Sequence, residues 1–553
     1  MPYLARHPRD LPALMNRATR AILPLLFGAA FILLPFRLQA QCSARQADAD
    51  FARGMALAHQ KQWQPASSAL KAGENLCPAQ KRFPEELAGV AFEQKRYPRA
   101  AHWLRRALQI DPTDQYANNF AGTVYYLMGN LPAALLYWNR VHRPQIHDLN
   151  FDPDLRIRPL ILGRAFTFSP HSLLTRRQFE TTEARLHGLG IFPAYRIALS
   201  PRPDGSFDAD FHAVEQNGFG NSRLQSALSI LSGVPYQTIY PSYFNIHRSA
   251  INVTSLLRWD SQKRRAWVNV SGPLHDLPQR RWQISFDARN ENWAIRRSFT
   301  GYAPVLGSLN LQKQAAAFLV TDIVSGRWQW ATGAELSHRT YRDVQRGSAL
   351  NTNIVLPGTE LKYLLSISGK PIDLPQHRLA VTTSAHSQIA RLWSQSSSQV
   401  FEKLQGSARL RWLPSQNSDR WEITQQVRGG GLLGASPFDE LFMLGVERDN
   451  NLWLRGDIGV RGGRKGSAPL GTRYLLTNSD FYRRIYSNGL IRIQAGPLFD
   501  VGRMAAPTSG LASNRWMFDT GLEARITVLG TRVLLTWGYD LRTGHNAWFG
   551  TAR

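Results

Sequence analysis

From residue 217 to the C-terminus, apolar and polar positions alternate with a period of two. In "RWQISFDA", Trp282, Ile284, Phe286 and Ala288 fall on one side while Gln283, Ser285 and Asp287 fall on the other. "SARLRWL" sets Ala408, Leu410 and Trp412 against Arg409 and Arg411; "IRIQA" sets Ile491, Ile493 and Ala495 against Arg492 and Gln494. "RVLLTWGYDL" sets Val533, Leu535, Trp537 and Tyr539 against Arg532, Thr536, Gly538 and Asp540. Such runs predict β-strands with one apolar and one polar face. A soluble sandwich turns the apolar face into its core. A membrane barrel turns it outward, keeps the polar face around a wet lumen and gathers Trp and Tyr at the interfaces. The arginines recurring on the polar face and the many strand-borne Trp and Tyr residues favour a transmembrane antiparallel β-barrel over 217–553, of about sixteen strands, whose closure removes exposed edges.

Upstream the period changes to that of helices. Between residues 48 and 146, small and apolar positions recur every 34 residues: Gly54, Ala88 and Gly122; Trp63, Tyr97 and Leu131; Ala66, Ala100 and Ala134; Leu70, Leu104 and Trp138; with Pro78 and Pro112 as terminators. Small residues at such points let antiparallel helices approach, and proline stops the second helix of a pair. The pattern resembles tetratricopeptide repeats. That resemblance implies an α solenoid of about three hairpins over 41–147 whose concave face takes a peptide or protein; a plain spacer is the alternative.

Residues 160–216 predict a small α+β unit. A short strand is expected at Ala165–Phe168, then a helix opened by a Thr175/Gln178 capping box, with Phe179, Leu186 and Leu189 on its buried side and Gly188 and Gly190 at its end. Two alternating strands follow, Tyr195, Ile197 and Leu199 in one and Phe207, Ala209, Phe211 and Ala213 in the next, joined through "PDG" at 203–205. With "RLHGLGIF", this order resembles one polypeptide-transport-associated (POTRA-like) module. The resemblance implies capture of an extended peptide by strand addition at a sheet edge.

Residues 1–40 read as a signal peptide: Arg17 and Arg20, an apolar run broken by proline, Arg37, then a small residue at Ala40, with Met15 as an alternative start. A retained anchor is the alternative, although the run is short for about 20 spanning residues. Export permits a disulfide between Cys42 and Cys77, the two cysteines of the chain; free thiols are equally compatible. The net charge of +26 points to anionic partners. A secreted, strand-rich chain makes nucleic acid a poor candidate among them. Scattered histidines, with no HExxH and no CxxC, predict no metal site and no cofactor.

"NLWLRGDIGVRGGRKGSAPLG", residues 451–471, interrupts the strand pattern with arginines and glycines. Leu454-Arg455-Gly456, the following glycines, "PLG" at 469–471, "GPLFDVG" at 496–502 and the closing strands resemble the bacterial surface antigen family of outer-membrane assembly and secretion barrels. The likeness spans about residues 420–553, and 217–420 by strand pattern alone. It implies a long extracellular loop folded back into the lumen, tethered by Arg455 to Asp500, with Asp519 and Asp540 as alternative partners. A buried guanidinium needs a carboxylate, and its planar fork can hold one twice. Asp457 stands where the family carries an aromatic residue, and Val460-Arg461-Gly462 offers a second possible tether.

These readings imply a non-enzymatic outer-membrane protein of a Gram-negative-type bacterium with periplasmic N-terminal domains. Its partners would be the lipid bilayer, an extended client polypeptide and a periplasmic protein. An exopolysaccharide export porin on a tetratricopeptide scaffold is the alternative. Without GxSxG or a recognisable carboxylate pair, an exported hydrolase ranks below both.

Overall fold

The computed structural model describes residues 42–296, 303–394, 398–416, 418–488, 491–508, 510–528 and 531–552. The predicted signal peptide, with Met15, lies outside them. The first described elements are three antiparallel helix pairs: α1 (Ala44–His59) with α2 (Trp63–Leu76), α3 (Arg82–Glu93) with α4 (Tyr97–Ile110), and α5 (Gln115–Leu127) with α6 (Leu131–Trp138). The second helices begin at Trp63, Tyr97 and Leu131, the positions spaced 34 apart in the sequence. Ala66, Ala100 and Ala134 are fully buried between helices. A Cβ on Gly54 would stand 2.7 Å from Leu70, and one on Gly122 would overlap the Trp138 ring, which is why those columns stay small. A disulfide joins Cys42 to Cys77, closing the start of α1 onto the end of α2.

The α+β unit begins earlier than the sequence reading placed it. Its first strand is β1 (Gln145–Phe151), followed by α7 (Pro159–Ala165), the two-residue β2 (Ser172–Leu173), α8 (Arg176–Leu189), β3 (Ala194–Pro201) and β4 (Phe207–Val214). The expected strand at Ala165–Phe168 is absent: Pro159, pre-set for a first helical turn, starts α7, and Ala165 ends it. The sheet order is β2-β1-β4-β3, with β1 parallel to β4 and β3 antiparallel to it. Thr175 and Gln178 form a reciprocal capping box, and Gly190 closes α8 in the left-handed region.

Helix α9 (Arg223–Leu231) then leads into the large antiparallel sheet. Its strands are β5 (Thr238–Ile239), β6 (Ser242–Ile246), β7 (Ile251–Asp260), β8 (Lys263–Leu274), β9 (Leu277–Arg296), β10 (Val305–Ile323), β11 (Trp328–Gln345), β12 (Gly358–Leu374), β13 (Leu379–Trp393), β14 (Ser398–Trp412) and β15 (Trp421–Gly434). Residues 435–472 follow, with the two-residue strands β16 (Phe442–Met443), β17 (Val460–Arg461), β18 (Arg464–Lys465) and β19 (Leu470–Gly471). The wall resumes with β20 (Arg473–Ser487), β21 (Ile491–Ala505), β22 (Trp516–Val528), β23 (Thr531–Asp540) and β24 (Asn546–Ala552). Antiparallel ladders link neighbours from β7 to β15, across to β20, and on to β24.

Counting β5 and β6 as one interrupted pass, among the described residues ten passes precede the inserted segment and five follow it, against an expectation of about sixteen. Residues 217–237, within the span expected to be barrel, form mainly helical turns. There two isolated bridges, Asn217 to Gly220 and Gly218 to Phe244, are followed by α9.

The two faces of the wall sort opposite to those of a soluble sandwich. Along β12, Leu361, Tyr363, Leu365 and Ile367 are 46–51% exposed, whereas the intervening Glu360 and Lys362 are 0% and 4% exposed. The apolar face is therefore outside and the charged face inside. Tryptophans sit at both ends of the outer surface, Trp328, Trp412 and Trp421 beside short turns near the N-terminal domains and Trp259, Trp393 and Trp516 at the far end.

The helical and α+β units rest on the near rim. Tyr125 donates to the Gln376 carbonyl at 3.4 Å, Asn130 to Pro375 at 2.9 Å, and Asn252 to Leu189 at 2.8 Å. Arg176 pairs with Asp373 at 2.9 Å, and Arg158 with Asp276 at 2.7 Å.

Candidate functional site

Residues 435–472 run through the space the wall encloses and touch strands on every side of it. Around Leu454-Arg455-Gly456 the segment meets an acidic part of the wall, on β20–β22. Arg455 donates from Nε to Asp500 Oδ2 at 2.8 Å and from Nη2 to Asp500 Oδ1 at 2.6 Å, while its own backbone N–H reaches Asp500 Oδ2 at 3.0 Å. Nη1 reaches Asp480 at 2.6 Å and Glu523 at 3.2 Å. Tyr482, Thr536 and Arg525 hold Glu523, and Asn478 bridges Asp500 Oδ1 and the Trp453 carbonyl. Asp500 and Glu523 thus each accept from wall side chains as well as from the guanidinium.

Glycine makes the approach possible. A Cβ on Gly538 would overlap the Arg455 carbonyl, and one on Gly456 would stand 2.7 Å from the carboxyl carbon of Asp519. Asp519 accepts the Gly456 N–H, so it holds the backbone of the segment and not its guanidinium. Asp540 caps its own turn instead, accepting from Arg542 N at 2.8 Å and from Thr543. Leu454 is fully buried against Gly502.

The alternative Val460-Arg461-Gly462 lies elsewhere. β17 and β18 form a hairpin turning through Gly462 and Gly463, both at positive φ. The hairpin pairs with the far end of β9 through Lys465 and Trp293, across the lumen from Asp500. The structure therefore brings together Leu454, Arg455, Gly456, Asp500 and Asp519, with Asp540 paired beside Asp519 and packed against Gly456 but bonded to its own turn, while Val460 and Gly462 belong to the separate hairpin.

Two further clusters escape the sequence reading. Asp439 accepts from Lys313 at 2.9 Å, Arg339 at 2.8 Å and Tyr341 at 2.8 Å. Glu440 accepts from Lys313 at 3.0 Å, Lys362 at 2.7 Å and Lys403 at 3.2 Å, and Lys403 also donates to the Glu440 carbonyl at 2.9 Å. Farther round, Asp449 is held by the fork of Arg258 at 2.7 and 3.1 Å, by Arg265 at 2.8 Å and by Lys465 at 3.1 Å. Lys465 in turn donates to Glu291 at 2.7 Å. The inserted segment thus presents acids to a cationic wall on β7–β14 and an arginine to an anionic wall on β20–β22.

The two ends of the sheet also meet on this segment. The Arg448 guanidinium lies 3.0 Å from the Tyr236 ring centroid, just before β5, and donates to the Gly550 carbonyl on β24 at 3.3 Å. Trp453 packs edge-on against Phe549 of β24, centroids 5.0 Å apart. Among the described residues, His147, Asp148 and Asp208 are spaced closely enough to share a cation. Arg202 already bonds Asp208 at 3.0 Å, which answers much of their charge.

No family model matches the chain, and no curated protein does. Among solved structures, the chain is similar to CdiB from Escherichia coli, with a TM-score of 0.50 and 13% identity over 74% of this chain and 77% of that one. CdiB from Acinetobacter baumannii aligns at 0.44 and 11% identity over 74% and 73% of the two chains. BamA from Haemophilus ducreyi lacking POTRA domains 1–3 aligns at 0.42 and 10% identity over 74% and 85%. The likeness to the Escherichia coli protein establishes a shared fold.

Proposed function

We propose that this chain is an assembly or secretion barrel of the outer membrane of a Gram-negative-type bacterium, assisting insertion or translocation of client polypeptides. Residues 42–216 would stand in the periplasm, with the helix pairs acting as tetratricopeptide repeats that recruit a partner protein. The observation that carries the reading is the filled lumen: a returning segment locked by Arg455 to Asp500 suits a gated path. A pore that conducts polymer continuously needs an open one. The apolar outer face favours hydrocarbon around it, since hydrating so large an apolar surface is costly.

The α+β unit supports client capture by strand addition, as its POTRA-like order implies. Beyond Gln145 and Ile146, β1 has no ladder partner on its outer side among the described residues. The opposite edge is partly covered, because Tyr126 donates to the Leu199 carbonyl of β3 at 2.6 Å. An extended client would therefore add beside β1, with main-chain hydrogen bonds supplying affinity independent of sequence.

An exopolysaccharide export porin is the rival reading, favoured by the cationic wall on β7–β14. Depleting the protein in its native cell separates the two. Selective loss of barrel or secreted proteins from the outer membrane supports the proposal; loss of surface polysaccharide alone overturns it.

A further inference from the structure

Six of the eight strands from β7 to β14 each send one basic side chain to the same segment: Arg258, Arg265, Lys313, Arg339, Lys362 and Lys403. Neighbouring strands lie about 4.8 Å apart, so these groups form a track across the inner wall and not a single pocket. Much of the track is dehydrated, with Arg339, Lys362 and Arg258 all buried. Charged groups so placed need counter-charges to stay buried. The wall supplies some of its own in Asp287, Glu335 and Glu360; the rest come from Asp439, Glu440 and Asp449 of the inserted segment. If that segment withdraws, the track loses three carboxylates together.

We propose that this track is a binding surface for acidic, extended segments of the transported polypeptide, and that residues 439–449 occupy it at rest as an internal surrogate. The inference rests on the transport reading above and adds the chemistry of its substrate. Two features favour a polypeptide over another polyanion. The resident ligand is itself a peptide chain, and Lys403 grips a main-chain carbonyl, that of Glu440, as well as a carboxylate. The opposite wall directs the choice of side: where Arg455 leaves them, Asp480, Asp500 and Glu523 repel an acidic chain and favour its passage along β7–β14.

The test uses the purified full chain in planar bilayers, as wild type and as an Asp439→Asn/Glu440→Gln/Asp449→Asn variant that leaves the Arg455 pairing intact. Polyglutamate, polylysine of equal length and polygalacturonate serve as probes. Polyglutamate is expected to block the variant at about tenfold lower concentration than it blocks wild type, and about tenfold lower than polylysine, corresponding to about 1.4 kcal/mol. Adding Lys313→Gln and Lys403→Gln should remove that preference. Equal block by polyglutamate and polylysine, or none, overturns the proposal; block by polygalacturonate as strong as that by polyglutamate overturns its assignment to polypeptides. Should the variant not insert, wild type decides: polyglutamate, and not polylysine, should raise protease cleavage within 435–472, and no difference overturns the proposal. Cell depletion is scored independently, so the transport reading and the acidic-client inference can fail separately.

Discussion

Arg455 and Asp500 form a two-pronged ion pair, Nε to Oδ2 at 2.8 Å and Nη2 to Oδ1 at 2.6 Å, with both side chains buried inside the wall. Removing one partner leaves the other charged and unpaired in a dehydrated site, which costs about 3–5 kcal/mol. Arg455→Ala is therefore expected to lower the temperature of the heat-induced mobility shift on semi-native electrophoresis and to expose 435–472 to protease. Arg464→Ala, on the hairpin away from Asp500, should change neither. Arg455→Lys should restore little, because an ammonium cannot reproduce the fork that spans Asp500 and reaches Asp480.

Gly538 tests the same docking from the wall side. Any Cβ there meets the Arg455 carbonyl. Gly538→Ala should loosen the segment while β22, β23 and β24 stay paired, giving larger single-channel conductance with an unchanged content of strand in circular dichroism.

Arg448 links the inserted segment to both ends of the sheet, through the Tyr236 ring and the Gly550 carbonyl. Arg448→Ala should increase hydrogen exchange in β24 and in residues 234–239, with β10–β13 unaffected. Uniform change along the wall would contradict a role at the seam.

Burial on the near rim pushes the Glu183 carboxyl up to about 7, with Lys370 opposing the shift and Glu180 and Asp373 adding to it. The unfolded or undocked segment ionises nearer 4.5, so it releases the proton first as pH rises. Docking of α8 is then strongest below about pH 4.5, weakens between about 4.5 and 7, and is constant above that. Glu183→Gln should flatten the profile and strengthen docking at pH 8, read as exchange protection of α8 corrected for the intrinsic pH dependence.

Much of this arrangement was legible in the sequence because its periods are strict. Alternation separates Ile284 and Phe286 from Ser285 and Asp287 without any structure, and the 34-residue register marks the helix starts at Trp63, Tyr97 and Leu131. Arg455 and Asp500 are legible through the resemblance of Leu454-Arg455-Gly456 and "GPLFDVG" to the surface antigen family. The cationic track did not, since its bases come one per strand and become neighbours only when the strands are registered. Its signal would have been one inward base on successive strands, together with the acidic pair Asp439-Glu440 in the insertion. β1 is hard to read because "QIHDLNF" alternates weakly, whereas "RAFTF" alternates well yet overlaps the end of a proline-initiated helix. Residues 217–237 carry α9, which strand periodicity alone does not announce.

The central claim, that 451–456 lies against the inner wall while the apolar face points outward, is tested most directly by crosslinking in intact membranes. Leu454→Cys with Gly502→Cys, bridged by a short bis-maleimide, should link in high yield, because the Leu454 side chain comes within 3.3 Å of a Cβ at 502. Leu454→Cys with Leu522→Cys, on the outer face of β22, should not link. Failure of the first pair, or equal yield from both, would contradict the account.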